Sequence, residues 1–321
     1  MRLFARVFGG MIEDATVGFL AGCSSKWHNA RRGDAAMATI SGSCLCGTVR
    51  YEVDPPFNMM INCHCSMCRK QHGSPFGTYV SAPIDRFRWV AGEDTIMSYQ
   101  SSSEGMRYNC KVCGSVLPNM MPKWKLAVLP AGPLQGDLGI TPQAHLFVGS
   151  MAPWYTITDS LPQHAEYPPE FATPGQVRPQ VTPRPGITEG SCLCGEVAFE
   201  VTGEPVVMQS CHCSRCRRAR GAAHATNIFY KTDQFRWTRG EELVADYKVP
   251  EAKYYGVAFC RKCGSALPRV SRERNIVVTP AGSLDTDPQG RSQRHIFTSY
   301  KAPWYEITDS VPRFPEGPPP A

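Results

Sequence analysis

Nowhere in the 321 residues does an apolar run approach the length of about 20 that a membrane span requires, so an α-helical membrane protein is excluded. Helical periodicity sustained over ten or more residues is equally scarce. The chain is instead punctuated by 28 glycines and 28 prolines, so turns are expected in quantity. Charge is sparse as well: Asp, Glu, Lys and Arg make up 19%, with a net charge of +6 and a pI near 8.6. That balance favours anionic small molecules but is too diffuse to argue for nucleic acid. The shortage of apolar residues that marks disorder is missing too, since 42% of residues are hydrophobic and the length allows two soluble cores.

What is abundant is cysteine. Fourteen of the fifteen fall into two sets of seven, and Cys23 stands alone. Seven is odd, so disulfides cannot consume a set. Each set has the same plan. A tight C-x-C-x-x-C run, Cys63-x-Cys65-x-x-Cys68 or Cys211-x-Cys213-x-x-Cys216, lies between two brackets. These are Cys44-x-Cys46 with Cys110-x-x-Cys113, and Cys192-x-Cys194 with Cys260-x-x-Cys263. Clustered thiolates suit zinc, and they persist as ligands where thiols stay reduced, which points to the cytoplasm.

Cys192 follows Cys44 by 148 residues, Cys211 follows Cys63 by 148, and Cys260 follows Cys110 by 150. Two residues have therefore been added between the second and third cysteine groups. Gly-Ser-Cys-Leu-Cys-Gly at Gly42 and Gly190, Pro-Ala-Gly at Pro130 and Pro280, and Ala-Pro-Trp-Tyr at Ala152 and Ala302 keep the same register. Such a period means domain duplication, because solenoid repeats run to about 20–50 residues. The expected organisation is a poorly ordered extension over 1–37, a first domain over 38–166, a proline-rich linker over 167–186, a second domain over 187–314, and a proline-rich tail over 315–321. Within the extension, Leu20-Ala21-Gly22-Cys23 looks like a lipoprotein cleavage site, but Glu13 and Asp14 break the apolar run such a signal needs.

Inside each copy the pattern is mainly β. Val49, Tyr51 and Val53 alternate with Arg50 and Glu52, as Val197, Phe199 and Val201 do with Ala198 and Glu200. Residues 126–129 and 276–279 read as further short strands. Each four-cysteine bracket makes a closed, structural zinc site, with Gly114 and Gly264 suited to the tight turn beneath a metal. Three cysteines leave a tetrahedron one ligand short. Either the fourth place is open to water or an incoming thiol, or a histidine closes it. His64 and His212 are flanked by ligands in an extended run, which turns their rings away; His145 and His295 remain as distant alternatives.

The succession Gly-Ser-Cys-Leu-Cys-Gly-x-Val-x-Tyr/Phe-Glu, Cys-His-Cys-Ser-x-Cys-Arg-Lys/Arg and Cys-x-x-Cys-Gly-Ser-x-Leu-Pro resembles the glutathione-dependent formaldehyde-activating enzyme family, which includes centromere protein V. The likeness covers about 40–165 and 188–314. It implies two tandem β-tent domains, each with one structural and one catalytic zinc, hence up to four zinc ions per chain. The implied activity is that of a carbon–sulfur lyase of the S-hydroxymethylglutathione synthase type, joining glutathione to formaldehyde or a related small aldehyde. By position, Cys63, Cys65 and Cys68, with Cys211, Cys213 and Cys216, are the catalytic-zinc ligands, and the bracket cysteines are the structural ones. Arg69, Lys70, Arg217 and Arg218 stand where they could attract the glutathione carboxylates, or they are solvated surface charges. The second copy departs from the first: Gly221-Ala222-Ala223-His224 replaces Gly73-Ser74-Pro75-Phe76, so its pocket is expected to differ or be lost. The rival reading is a zinc-stabilised binding module without catalysis, contacting protein or, through the cluster Arg215, Arg217, Arg218 and Arg220, nucleic acid.

Overall fold

The computed structural model describes residues 38–103, 105–166 and 182–318. The readings made for 1–37, including Cys23, for most of the linker and for the last three residues lie outside these. Each copy is built from short strands. In the first, β1 (Ile40–Ser43), β2 (Arg50–Val53) and β5 (Phe87–Ala91) form an antiparallel sheet. A larger sheet runs β11 (Gln163–His164), β10 (His145–Leu146), β3 (Met59–Cys63), β4 (Gly77–Pro83), β9 (Leu126–Pro130) and β8 (Asn119–Met121). The hairpin of β6 (Ile96–Gln100) and β7 (Met106–Cys110) completes it.

The second copy repeats this plan. Its three-stranded sheet is β12 (Ile187–Ser191), β13 (Ala198–Thr202) and β16 (Phe235–Arg239). Its large sheet runs β20 (Arg269–Ser271), β21 (Ile276–Pro280), β15 (Ala225–Tyr230), β14 (Val207–Cys211) and β22 (His295–Ile296). The hairpin of β17 (Val244–Lys248) and β18 (Gly256–Cys260) here gains β19 (Ala266–Leu267).

The alternation read in the sequence is real. Tyr51 and Val53 are buried on β2 while Arg50 faces solvent. One exception is Glu200 on β13, which is buried and paired with Arg184 and Arg236 rather than exposed. Among the described residues the α-helices are two single, seven-residue pieces at equivalent positions, α1 (Ser66–His72) and α2 (Ser214–Arg220). No described helix is long and apolar enough to cross a membrane.

Two separate cores are not what the chain builds. Ala302 and Trp304, late in the second copy, pack into the apolar cluster of Val49, Tyr51, Met60 and Leu129 in the first. Ala152 and Trp154, late in the first, pack into the cluster of Leu193, Phe199, Ile228 and Leu267 in the second. The repeated Ala-Pro-Trp-Tyr motif is thus an exchange of indoles between copies. Each is only 4% exposed, and burying that much aromatic surface is worth roughly 5 kcal/mol before entropy is subtracted.

The repeated Pro-Ala-Gly has a matching role, because the helix end of each copy presses on the glycine of the other. A Cβ on Gly282 would meet the Ser74 nitrogen at 2.5 Å, and one on Gly132 would meet the Ala222 nitrogen at 2.6 Å. Both obstacles are backbone and cannot step aside. Between the copies lie Thr158 and Thr308, whose hydroxyls are 2.5 Å apart, and the hydrogen-bonded hydroxyls of Tyr155 and Tyr305.

Among the described residues, one dock carries an ion pair that the other does not. Lys70 on α1 is 3% exposed, and its Nζ lies 2.6 Å from Asp285 Oδ1 while donating to the Ser191 carbonyl at 2.7 Å. Desolvation makes such a pair nearly neutral as a whole but costly to break from one side. Asp285→Ala is therefore expected to destabilise the full chain by about 3 kcal/mol, and Lys70→Met/Asp285→Ala by clearly less. Denaturant unfolding of both variants tests this, and a double variant worse than the single one would refute it.

Candidate metal centres

The bracket cysteines converge through local turns. In the first copy the C-x-C strand end brings Cys44 and Cys46 sulfurs to 3.3 Å, and Cys46 Sγ lies 3.8 Å from Cys110 Sγ. Gly114 holds φ at 68° in the knuckle after Cys113, and Gly264 does the same at 72° after Cys263. These are the tight turns that glycine permits without strain. Cys192, Cys194, Cys260 and Cys263 repeat the arrangement, and each foursome keeps its sulfurs within 4.8 Å of one another. All fourteen described cysteines are free. A tetrahedron with metal–sulfur bonds of about 2.3 Å has edges near ~3.8 Å, so the spacing fits zinc and is far longer than a disulfide.

The tight runs fold differently from the extended segment the sequence suggested. Cys63 ends β3, Cys65 caps the N-terminus of α1, and Cys68 lies one turn inside that helix, its N–H pointing to Cys65 Sγ at 3.3 Å. A C-x-x-C spacing on a helical turn places both sulfurs on one side, and the strand end adds the third. Cys211, Cys213 and Cys216 are placed alike by β14 and α2. Each trio also lies within 4.8 Å, and no fourth His, Asp or Glu joins either group among the described residues.

Without a cation the sulfurs of each trio compete for protons. Cys65 and Cys68 hold Cys63 well above the ordinary thiol range, while Cys63 and Cys65 hold Cys68 well below it. In the second trio, hydrogen bonds from Cys211 and Cys216 pull Cys213 down to about 3, and Cys213 pushes Cys211 up to about 12. Such clustered donors are what a soft divalent cation would relieve, because it replaces shared protons.

The histidines are occupied elsewhere. Asp159 accepts from His145 Nε2 at 3.0 Å, which leaves His145 Nδ1 to accept from His64 Nε2 at 2.8 Å. Burial, then His145 and Arg69, push His64 down to about 3, so the ring is neutral and its buried Nδ1 is left without a hydrogen-bond partner. Asp309, His295 and His212 form the same chain, at 3.0 Å and 2.9 Å. Both ring nitrogens of His145 and His295 are thus spent, which removes them as closing ligands, and the rings beside the cysteines are indeed turned away.

The basic residues correct another expectation. Lys70 is locked in the interface, and Arg217 donates to the carbonyls of Gly132 and Tyr300, so neither is available to a glutathione carboxylate. Arg220 is buried and Arg215 faces Glu251 and Tyr255, so these two members of the cluster are turned to partners within the chain. Ser74 and Phe76, noted as absent from the second copy, also sit at the interface: Ser74 Oγ donates to the His224 carbonyl at 2.8 Å, and the Phe76 ring packs edge-on to His224.

The family model of the glutathione-dependent formaldehyde-activating enzymes matches residues 39–150 and again 187–300. The chain belongs to that family. A Halomonas elongata protein described as "Putative glutathione-dependent formaldehyde-activating enzyme" is 32% identical over 127 residues, covering 37% of this chain and 80% of that one. A crystal structure of a Rhodobacter sphaeroides protein is similar at 27% identity, covering 32% of this chain and 92% of that one with a TM-score of 0.25.

Sequence reasoning missed the groups around the third sulfur of each trio. Arg107 Nη1 lies 3.5 Å from Cys68 Sγ and 2.6 Å from Gln71 Oε1, with the Tyr79 hydroxyl 3.5 Å from the same sulfur. In the second copy the Tyr255 hydroxyl lies 3.6 Å from Cys216 Sγ. None shares a motif with its counterpart, so no repeat pattern marks them. Because His145 is an internal support rather than a ligand, His145→Gln is expected to lower stability by about 1–3 kcal/mol through the unpaired His64 and Asp159, with metal content unchanged. Loss of one metal equivalent in that variant would show that the ring is a ligand after all.

Proposed function

We propose that the chain is a zinc-dependent enzyme that adds a thiol, glutathione, to formaldehyde or a related small aldehyde. The observation that carries this is the count of donors: seven cysteines per copy divide into a closed foursome and a trio with no fourth ligand in reach among the described residues. Cys44, Cys46, Cys110 and Cys113, and Cys192, Cys194, Cys260 and Cys263, would hold structural zinc, which ties the ends of short strands that bury little apolar surface unaided. Cys63, Cys65 and Cys68, and Cys211, Cys213 and Cys216, would hold the other two ions. Zinc bound by three thiolates supplies a position for a further donor and lowers the pKa of what occupies it.

The reaction needs no oxidant. A carbon–sulfur bond forms as the thiol adds to the aldehyde carbon, the carbonyl π pair moves to oxygen, and the proton lost from sulfur ends on that oxygen. The reverse reaction is a carbon–sulfur lyase step. The chain's own contribution is to hold three sulfurs at one point, to keep His64 and His212 neutral behind them by burial, and to place polar hydrogens beside Cys68 and Cys216. Of the cations next to the first trio, Arg69 carries a buried Nε with no partner, which suits it better than Lys70 to meet an anionic substrate. The fourteen free thiols among the described residues fit a reducing compartment, so a cytoplasmic setting is part of the proposal. A binding module without catalysis finds less support, since the arginines that would have served it are largely engaged within the chain.

Elemental analysis of the full chain is expected to give four zinc ions, falling to three in Cys68→Ala and in Cys216→Ala. Exchange NMR with labelled formaldehyde and glutathione should show adduct formation faster than the spontaneous reaction, and slower in each variant whose site contributes. Four zinc ions with no acceleration would refute the activity and leave the metal reading standing; two zinc ions would refute both.

A further inference from the structure

The two trios are equivalent by sequence, yet the groups that touch their third sulfurs are not. Tyr79 on β4 corresponds to Asn227, and Arg107 on β7 corresponds to Val257, reckoned from Cys63 with Cys211 and from Cys110 with Cys260. Gln71, which anchors Arg107, corresponds to Ala219, and Asn109, to which Gln71 donates at 3.1 Å, corresponds to Phe259. A connected polar chain in one copy has therefore been replaced, member by member, with apolar side chains in the other, Asn227 excepted. The polar contact to the sulfur has nevertheless been kept. It now comes from Tyr255, in the loop between β17 and β18, in the stretch where the second copy carries the two additional residues noted in the sequence.

The identity of the donor follows from hydrogen bookkeeping in the first site. His72 Nδ1 faces the Arg220 carbonyl at 2.5 Å, and a carbonyl only accepts, so Nδ1 carries the ring's proton. His72 Nε2 then accepts from the Tyr79 hydroxyl at 2.7 Å, which spends the single hydrogen of that hydroxyl. The hydrogen left for Cys68 Sγ is that of Arg107. In the second site Arg220 stands where His72 does, and the Tyr255 hydroxyl gives its hydrogen to Cys216 Sγ.

We infer that Arg107 and Tyr255 are positioning residues of one kind, each donating, from the same hairpin but a different place in it, to the third sulfur of its trio and holding that cysteine as a metal-bound thiolate. The inference rests on the zinc reading above. Three thiolates and a divalent cation carry a formal charge of −1; in the first site the donor itself is the compensating cation, whereas in the second the donor is neutral and the cation is Arg220, buried beside Tyr255 and Cys216. The second site is a rebuilt metal centre with its own polarity, not a decayed copy of the first.

Cobalt substitution of the full-length protein tests this, because hydrogen bonds to a thiolate raise the energy of its charge-transfer band. Tyr255→Phe and Arg107→Gln should each move the band of one of four metal equivalents to longer wavelength, and the double variant should move two. In the zinc form, a chromogenic chelator should take one equivalent about tenfold faster in each variant, the factor that loss of a hydrogen bond to a charged group produces. Arg107→Lys should restore most of the retention, since it keeps a charged donor. Unshifted bands and unchanged release in Tyr255→Phe, a substitution that keeps the ring in place, would overturn the inference. A wild-type protein that binds only two cobalt ions would overturn the zinc reading instead.

Discussion

The structure depends on bringing seven soft, ionisable sulfurs of each copy to two points. Short strands alone cannot do this, because thiols gathered in a dry interior compete for protons. The sulfurs are therefore held by stiff local devices: a strand end running into a helix N-terminus for the trio, and a strand pair with a glycine knuckle for the foursome. The larger sheet of each copy also serves the site. Its short parallel strand β10 or β22 lies beside the strand that ends in Cys63 or Cys211, and carries the histidine that supports the neighbouring ring. Fold and site are one construction.

A second constraint acts between the copies. Indoles exchanged from Trp154 and Trp304, and helix ends seated on Gly132 and Gly282, make the two halves share cores. The apolar exchange outweighs the buried Lys70–Asp285 ion pair there, since desolvation leaves such a pair close to break-even. Lys70 contributes direction more than energy, as its ammonium fits only where the Ser191 carbonyl and Asp285 meet it.

The fold class was legible because alternation and glycine–proline punctuation are local signals, and β2, β9, β13 and β21 lie where those signals put them. The groupings of the sulfurs were legible because spacing alone restricts where they can meet. The exchange of Trp154 and Trp304 was not. An Ala-Pro-Trp-Tyr repeated in both copies reads as internal packing whether the pocket belongs to its own copy or the other. Lys70 and Arg217 misled for a related reason: a cation after a ligand run is usually solvated, and only the docking of the two halves buries it. Tyr255 was invisible because a loop insertion has no counterpart against which to notice it, although the two-residue change in spacing marked where to look.

Duplication within one chain frees the sites from symmetry. In a dimer of identical copies, any residue near the dyad must suit both sides at once. Here Asn109 lies against Gly264, while Phe259, its counterpart, lies against Gly114; a polar chain runs along one side and apolar packing along the other. His72 meets the backbone carbonyl of Arg220, its counterpart, and the Phe76 ring meets that of His224. At each of these equivalent positions the two copies carry unlike side chains. A change near one trio is therefore answered across the interface, not repeated there, so two centres of one ancestry can hold their third sulfurs by unlike means while sharing a single folded core.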